Sequence, residues 1–243
     1  MKDIIIYGHR GASKYAPENT FSAYNKAIDM GADGIEIDVH KSKDGHLIVC
    51  HDERVDRTTD GEGFIKDLTL EEIKKLDAGR WFSEEFRGER IPLLDEVLKF
   101  VKGNNLLLNI EIKNGPIFYD EIEEDIVKAV RAYDLVENTI ISSFNHYSLA
   151  YIKNIDKQFK TGILYIAGMI EPWDYARKVG ASYIHPLYLT INKEVVQESQ
   201  DNGIMVNPFT VNREEEIKLM KSFNVDSIIT DCPDICKKVF NIQ

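Results

Sequence analysis

Apolar residues recur along the chain in two alternating patterns, short continuous runs and stripes with a spacing of three or four residues. A run such as residues 4–7 is typical of a strand buried on both faces, as strands in parallel sheets are. Runs and stripes alternate regularly, so that eight strands are predicted, at residues 4–7, 34–40, 106–112, 139–142, 161–165, 183–184, 204–207 and 227–230.

The stripes between these runs are typical of amphipathic helices. Phe21, Tyr24, Ala27 and Ile28 form the first one, for which Asn19 is the expected cap. Further helices are predicted at residues 69–76, 92–101, 119–133, 147–155, 172–179, 193–201 and 214–222. Eight strand–helix units in a chain of 243 residues favour an α/β fold of the (β/α)8 TIM-barrel type. A doubly wound open sheet is the alternative.

Residues 53–91 interrupt the alternation after the second strand. This stretch is too long for an ordinary connection, so it is interpreted as a small insertion over the barrel. No linker or low-complexity segment divides the chain, which favours one catalytic barrel domain over 1–243 with an inserted subdomain at about 53–91. The aromatic residues Trp81 and Phe82 of the insertion are expected either to line a substrate site or to pack within the protein.

Composition excludes several classes of protein. An apolar fraction of 43% is ordinary for a soluble globular domain. A net charge of −11 with a pI near 5.1 disfavours nucleic acid or an anionic membrane surface as the main partner. The 3 cysteines do not form the pattern of a disulfide framework. The apolar run near the N-terminus is too short for a signal peptide or a membrane helix, so a cytoplasmic location is predicted.

Glu36 and Asp38 are the first candidates for chemistry. They alternate with Ile35, Ile37 and Val39, so both carboxylates lie on one face of a strand. Adjacent carboxylates repel each other, and a bound divalent cation removes that penalty. The alternative is an ordinary surface strand with a polar outer face.

Other polar residues follow the predicted strands at their carboxyl ends, where barrel enzymes place their working groups. The full set with Glu36 and Asp38 is His9, Arg10, His51, Glu111 and Lys113. Carboxylates that hold Mg²⁺ or Ca²⁺, cations that balance phosphate charge and two imidazoles that exchange protons suit phosphoryl transfer between oxygens. A buried salt-bridge network of the carboxylates with Arg10 and Lys113 is the structural alternative. His40 shares the face of Glu36, but imidazole is a poor ligand for hard cations.

Several motifs occur in one order along the chain and together resemble the glycerophosphodiester phosphodiesterase family. They are His9-Arg10-Gly11, Pro17-Glu18-Asn19-Thr20, Glu36-Ile37-Asp38-Val39, Lys43-Asp44-Gly45, His51-Asp52, Arg57-Thr58-Thr59 with Gly61 and Gly63, residues 91–98, Glu111-Ile112-Lys113, and residues 226–233. The resemblance implies a TIM-type barrel with a small insertion. It also implies hydrolysis of glycerophosphodiesters, such as glycerophosphocholine, to glycerol 3-phosphate and an alcohol.

The resemblance also implies roles for matching positions. Glu36, Asp38 and Glu111 match the metal ligands, His9 and His51 match the acid/base pair, and Arg10 and Lys113 match phosphate contacts. Phe209 stands in a Phe-Thr-Val-Asn run where the family usually has Trp-Thr-Val-Asn. Phenylalanine keeps an apolar wall but lacks the indole donor, so the fit to the glycerol or alcohol end differs there.

Two other functions fit part of the pattern. A related barrel phospholipase would act on lysophospholipids or phosphoinositides, but the acidic charge and the absence of a membrane-binding stretch disfavour it. A non-catalytic sugar-phosphate binder would not need two proton-transfer groups. The sequence therefore predicts a metal-dependent phosphoric diester hydrolase that acts on a small molecule.

Overall fold

The computed structural model describes residues 3–241, in which parallel strands alternate with helices. The strands are β1 (Ile5–His9), β2 (Gly34–Lys41), β3 (Leu47–Val49), β4 (Leu107–Ile112), β5 (Thr139–Ser143), β6 (Lys160–Tyr165), β7 (Tyr183–Pro186), β8 (Met205–Val206) and β9 (Ser227–Thr230). The helices are α1 (Phe21–Asp29), α2 (Leu70–Ile73), α3 (Leu94–Asn104), α4 (Ile122–Ala132), α5 (His146–Ile155), α6 (Pro172–Val179), α7 (Lys193–Asp201), α8 (Glu214–Phe223) and α9 (Pro233–Asn241).

Eight of the strands form a barrel. They pair in parallel in the order β8-β7-β6-β5-β4-β2-β1-β9, and β3 pairs with β2 in antiparallel fashion. Backbone hydrogen bonds join the two ends of this order, from Asp226 N to Val206 O at 3.0 Å and from Ile229 N to Pro208 O at 3.1 Å. The predicted TIM-type barrel is therefore confirmed, and the open sheet is excluded.

Successive side chains of each strand point to opposite faces of the sheet, which separates two apolar regions. Ile35, Ile37 and Val39 of β2 belong to the large core that also contains the buried faces of the surrounding helices. Tyr7, Ile140 and Ile229 point the other way and pack together in a separate cluster with neighbouring side chains of other strands. Because this cluster occupies the amino-terminal half of the strands, the interior of the carboxyl-terminal half is left to polar side chains.

β3 and the segment after it share a separate apolar cluster. Its fully or largely buried members are Ile48, Cys50, Val55, Ile65, Ile73, Ala78 and Ile91. Thr69 begins the short helix α2 with a capping box, as its side chain accepts from Glu72 N and Glu72 bonds back to Thr69 N. Treating 53–91 as a subdomain stays a prediction, and the predicted domain limits 1–243 include residues 1, 2, 242 and 243, which lie outside the described part.

Several predicted boundaries are wrong. Thr20, rather than Asn19, caps α1, because its hydroxyl accepts from Ala23 N while Asn19 adopts a left-handed conformation with φ 56°. β1 extends to His9, which therefore ends the strand instead of following it. Helix α2 has 4 residues and is shorter than predicted. Helix α9 was not predicted, since its buried residues Pro233, Cys236 and Val239 provide only a short stripe.

Candidate active site

The strand register brings polar side chains together inside the carboxyl-terminal mouth of the barrel. His9 of β1 pairs with Glu36 of β2, and Asp38 of β2 pairs with Glu111 of β4. One carboxylate oxygen from each of Glu36, Asp38 and Glu111 lies within 4.8 Å of the other two. These three buried side chains, called the acidic cluster below, offer only oxygen ligands, as hard divalent cations require.

Two basic residues, Arg10 and Lys113, contact the acidic cluster. Lys113 Nζ is 2.6 Å from Glu111 Oε1 and 3.0 Å from Asp38 Oδ1. Arg10 Nε is 3.4 Å from Asp38 Oδ2, and the Arg10 backbone N–H donates to Glu36 Oε2 at 3.0 Å. Asn19, which the sequence suggested as a helix cap, instead donates its side-chain amide to Asp38 Oδ2 at 2.9 Å.

The electrostatics of the acidic cluster fit a bound cation. Burial, with added repulsion from Asp38 and Glu111, raises the pKa of Glu36 well above its ordinary value. Burial also works against ionisation of Asp38, but Lys113 and Arg10 outweigh it and lower the pKa of Asp38. Arg10 and Lys113 thus do not balance the negative charge of Glu36. A divalent ion held by the three carboxylate oxygens would supply the missing positive charge.

His9 is held by a carboxylate that directly follows β9, the last strand of the barrel. His9 Nδ1 lies 2.6 Å from Asp231 Oδ1, and Asp231 also accepts from Ser13 Oγ at 2.8 Å and Asn212 Nδ2 at 2.6 Å. Burial raises the pKa of Asp231, but these donors outweigh it and hold the pKa at about 2. Since an ionised carboxylate only accepts hydrogen bonds, His9 Nδ1 carries a proton, and Nε2 is the ring nitrogen that Asp231 does not engage.

His51 is held in a corresponding way from the segment after β3. Its Nδ1 lies 2.6 Å from Asp52 Oδ1, and its backbone carbonyl accepts from His40 Nε2 at 3.1 Å. Burial lowers the pKa of His40 to about 4, so this ring is neutral at pH 7 and its Nδ1 accepts from the Tyr119 hydroxyl at 2.9 Å. Both nitrogens of His40 are occupied, which leaves it a supporting role rather than that of a ligand.

A chain of ion pairs connects the His51 side of the site to Arg10. Arg57 donates through Nε to Asp52 Oδ2 at 2.7 Å and through Nη1 to Glu18 Oε2 at 2.8 Å. Glu18 Oε1 in turn accepts from Arg10 Nη1 at 2.9 Å. The orientation of His51 and the orientation of Arg10 are therefore set by one continuous network.

A small cavity of about 140 Å³ opens beside these groups. His51, Glu111, Lys113 and Phe144 are among its lining residues. The ring of Phe209 stands edge-on to that of Phe144, with centroids 6.0 Å apart. Trp81 and Phe82 are not among the described side chains that line this cavity. Their rings instead stand edge-on to each other within the insertion, with centroids 5.7 Å apart.

The residues without an assigned role in the sequence analysis are Asp231, Asp52, Arg57 and Glu18. All four occur in the motifs quoted for the family, and these motifs are the feature of the sequence that could have identified them. Only Asp52 is adjacent in sequence to its histidine, whereas Asp231 reaches His9 across 222 residues because β9 neighbours β1. Glu18 and Arg57 carry opposite charges, but nothing in their separation along the chain indicates that they pair.

Within residues 3–241, no helix has both the length and the apolar composition needed to cross a bilayer.

Comparison with known proteins agrees with this geometry. Residues 9–235 match the model of the glycerophosphoryl diester phosphodiesterase family. A glycerophosphodiester phosphodiesterase of Caldanaerobacter subterraneus subsp. tengcongensis is 52% identical over 234 residues, which cover 96% of each chain. A putative glycerophosphoryl diester phosphodiesterase from Silicibacter pomeroyi superposes with a TM-score of 0.90 at 25% identity, over 97% of this chain and 92% of that one.

A further solved structure is a phosphodiesterase from Oleispira antarctica in complex with the product sn-glycerol-3-phosphate. It superposes with a TM-score of 0.88 at 28% identity, over 98% of this chain and 96% of that one. The family predicted from the sequence motifs is thus confirmed. With its barrel, its acidic cluster and its match over nearly the whole length, the chain belongs to the glycerophosphoryl diester phosphodiesterase family.

Proposed function

We propose that this enzyme hydrolyses glycerophosphodiesters to glycerol 3-phosphate and an alcohol by acid–base catalysis at the mouth of the barrel. The observation that carries the proposal is the placement of two histidines beside the acidic cluster, each with Nδ1 bound to a carboxylate. The relative named a glycerophosphodiester phosphodiesterase and the neighbour with bound sn-glycerol-3-phosphate support the substrate class.

The acidic cluster is the proposed metal site. Glu36, Asp38 and Glu111 would hold Mg²⁺ or Ca²⁺, which neutralises charge on the phosphate when bound. Arg10 and Lys113 lie at the edge of this cluster, where their positive charges can contact the same phosphate. Phe209 is the proposed apolar contact for the organic part of the substrate, since its ring adjoins the cavity through Phe144.

The two imidazoles divide the proton transfers. One Nε2 accepts the proton of the attacking hydroxyl, either the 2-hydroxyl of the glycerol or a water molecule, and the other donates a proton to the leaving alkoxide. Asp231 and Asp52 fix the two rings with Nδ1 protonated, so both keep Nε2 for this work. Attack by the glycerol hydroxyl would give a cyclic phosphate, which water then opens.

The experiment that tests the proposal is an assay of glycerol 3-phosphate release from glycerophosphocholine and glycerophosphoethanolamine, with Mg²⁺, with Ca²⁺ and with EDTA. Activity is expected with at least one cation and is expected to disappear in EDTA. Full activity in the chelator would contradict the metal site, and no release from any glycerophosphodiester would contradict the substrate class.

Replacement of His9 or His51 by alanine tests the mechanism. Each variant is expected to lose about 10²- to 10⁴-fold in kcat, because it lacks one proton-transfer group. His46→Ala is the matched control, since His46 is exposed in the turn between β2 and β3. Near-normal turnover by either site variant would remove that histidine from the mechanism.

A further inference from the structure

Among the carboxylates that line the catalytic cavity, Glu53 has no role in the proposed mechanism. It lies two residues after His51 and lines the same cavity as His51, Lys113 and Phe144. The volume of about 140 Å³ is smaller than the roughly 300–1,000 Å³ of sites for drug-sized ligands. The cavity therefore suits a compact group next to the phosphate rather than a long one.

The other acidic side chains of the cavity wall are already paired. Asp52 Oδ2 accepts from Arg57 Nε at 2.7 Å, and Glu111 Oε1 lies 2.6 Å from Lys113 Nζ. The carboxylate of Glu53 differs, because it forms no hydrogen bond or ion pair within the described part of the chain. Its negative charge is thus free to interact with a ligand.

The neutral polar side chains of the wall are engaged within the protein. Asn114 Oδ1 accepts from Tyr119 N at 2.9 Å, and Asn114 Nδ2 donates to Glu123 Oε1 at 2.9 Å. Asn145 Nδ2 donates to Asn114 O at 2.8 Å, and Ser143 Oγ donates to a backbone carbonyl at 2.8 Å. A head group made of hydroxyls, such as glycerol or inositol, needs free donors and acceptors, and these side chains use theirs elsewhere.

Phe144 provides the aromatic part of the wall. It is 49% exposed, and its ring stands edge-on to Phe209 with an interplanar angle of 83°. The face of an aromatic ring attracts a cation, and a carboxylate in the same cavity attracts it further. An ammonium group in this cavity would therefore meet both kinds of contact.

The charge of Glu53 acts on the cavity side of the segment after β3. Glu53 is only partly exposed. Burial raises the pKa of the Tyr119 hydroxyl, and the negative charge of Glu53 raises this pKa further. Tyr119 in turn packs edge-on against His40, which lines the cavity, with ring centroids 5.7 Å apart. Glu53 is thus close to the cavity wall and is not turned away into solvent.

We propose that Glu53 and Phe144 form a subsite for a cationic alcohol group and that Glu53 sets the preference for it, an inference that rests on the proposed function. In the proposed arrangement the negative phosphodiester lies at Lys113. Glu53 adds a negative charge to the same cavity, which favours an alcohol with an ammonium group over a neutral or anionic one. Choline and ethanolamine are alcohols of this class.

The test compares two substrates of the metal-loaded enzyme that differ by one charge. The first is glycerophosphocholine, and the second is its carbon analogue, in which a tert-butyl group of the same shape replaces the trimethylammonium group. Release of glycerol 3-phosphate gives kcat/KM for each, and the ratio of the two values measures the preference for the cation. For the wild-type protein we expect a ratio of about 10 to 20 that falls with added salt, because an electrostatic preference is screened.

Variants assign the preference to the two residues. Glu53→Gln keeps the size of the side chain but removes its charge, and we expect the ratio to fall about 5-fold. Phe144→Leu keeps an apolar wall without the ring, and we expect the ratio to fall about 3-fold. Glu62→Gln is the matched control, because Glu62 is an exposed carboxylate on the same segment and is not among the described residues that line the cavity. It should keep the wild-type ratio.

The outcomes separate this inference from the proposed function. Equal kcat/KM for both substrates in the wild-type protein overturns the subsite and leaves the hydrolytic activity intact. A ratio that Glu53→Gln leaves unchanged also overturns it, as does an equal loss with both substrates, which would assign Glu53 to the chemistry or the fold. If Glu53→Gln does not fold, as judged by circular dichroism, an unchanged ratio in Phe144→Leu overturns the subsite. Failure to hydrolyse any glycerophosphodiester would instead reject the proposed function.

Discussion

Asp231 determines what the ring of His9 can do. Its carboxylate is mostly buried and receives three donors, from His9, Ser13 and Asn212. A carboxylate with this many donors stays ionised and keeps the Nδ1–H tautomer of His9 in one orientation. The catalytic role proposed for His9 would therefore depend on a residue that does not itself touch the reacting atoms.

Asp231→Asn should reveal this dependence. Asparagine can present its NH₂ group to Nδ1 and so favour the opposite tautomer, and kcat is expected to fall about 10²- to 10⁴-fold. Asp234→Asn is the control, since Asp234 lies three residues away and accepts from the Tyr15 hydroxyl at 3.1 Å. Wild-type kcat with an unchanged pH profile in the Asp231 variant would contradict a positioning role.

The same carboxylate gives a pH-dependent contribution to stability. Its pKa is lowered from 3.8 to about 2 in the folded protein, so its contribution is complete above pH 4 and is lost as the pH falls toward 2. The contribution corresponds to about 2 kcal/mol. Urea unfolding of wild type and Asp231→Asn should therefore show a difference at pH 6 that shrinks between pH 4 and pH 2, whereas a constant difference would refute the assignment.

At the scale of elements, the segment after β3 brings part of the site to the barrel. It provides His51, Asp52 and Arg57, while Arg10 and Glu18 come from the connection between β1 and α1. Arg57 bonds to Asp52 and Glu18 at once and so ties the two segments together. The position of His51 relative to Arg10, the proposed phosphate contact, thus depends on a bridge between two loops.

Arg57→Ala should loosen this bridge. Because small displacements of catalytic groups are costly, kcat/KM is expected to fall about 10- to 100-fold. Arg54→Ala is a closely matched control, as Arg54 makes a similar pair of bonds to Asp56 on the same segment but touches neither Glu18 nor Asp52. Equal activity of the two variants would show that the bridge does not position the site.

At the scale of the whole molecule, the proposed metal site lies on two neighbouring strands of the barrel. The acidic cluster draws its carboxylates from β2 and β4, which pair through six registered positions from Gly34 with Leu107 to Val39 with Ile112. An ion held between these strands binds the folded state and not the unfolded chain. Stability should therefore depend on the concentration of the cation.

Thermal unfolding in Mg²⁺ or Ca²⁺ tests this coupling without reference to activity. When the free cation concentration is about 100 times the dissociation constant, binding raises the free energy of unfolding by about 2.7 kcal/mol. This corresponds to a Tm increase of about 5 to 10 °C. Glu111→Gln is expected to reduce the increase, while Glu71→Gln, at an exposed position of α2, should keep it. If neither cation moves the Tm of the wild-type protein, the metal site is refuted.

Much of the fold could be predicted because it rests on local patterns. The eight parallel strands correspond to apolar runs, since a strand covered on both faces needs apolar side chains throughout. Boundaries were less predictable where two adjacent residues could serve the same purpose. Asn19 and Thr20 are both good caps. The Thr20 hydroxyl accepts from Ala23 N, whereas the Asn19 amide donates to Asp38, a contact that neighbouring residues in the sequence do not indicate.

The sequence by itself determined the alternation of strands and helices, the pairing of Glu36 with Asp38 on one face, and the family, because these depend on residue order and spacing. Only the tertiary structure decided which carboxylate holds which histidine and that Arg57 connects Glu18 to Asp52. It also decided that Phe144, the aromatic ring that lines the catalytic cavity, lies in the loop after β5 and not in the insertion. These contacts join residues far apart in the chain, and closure of the barrel, not local spacing, sets their distances.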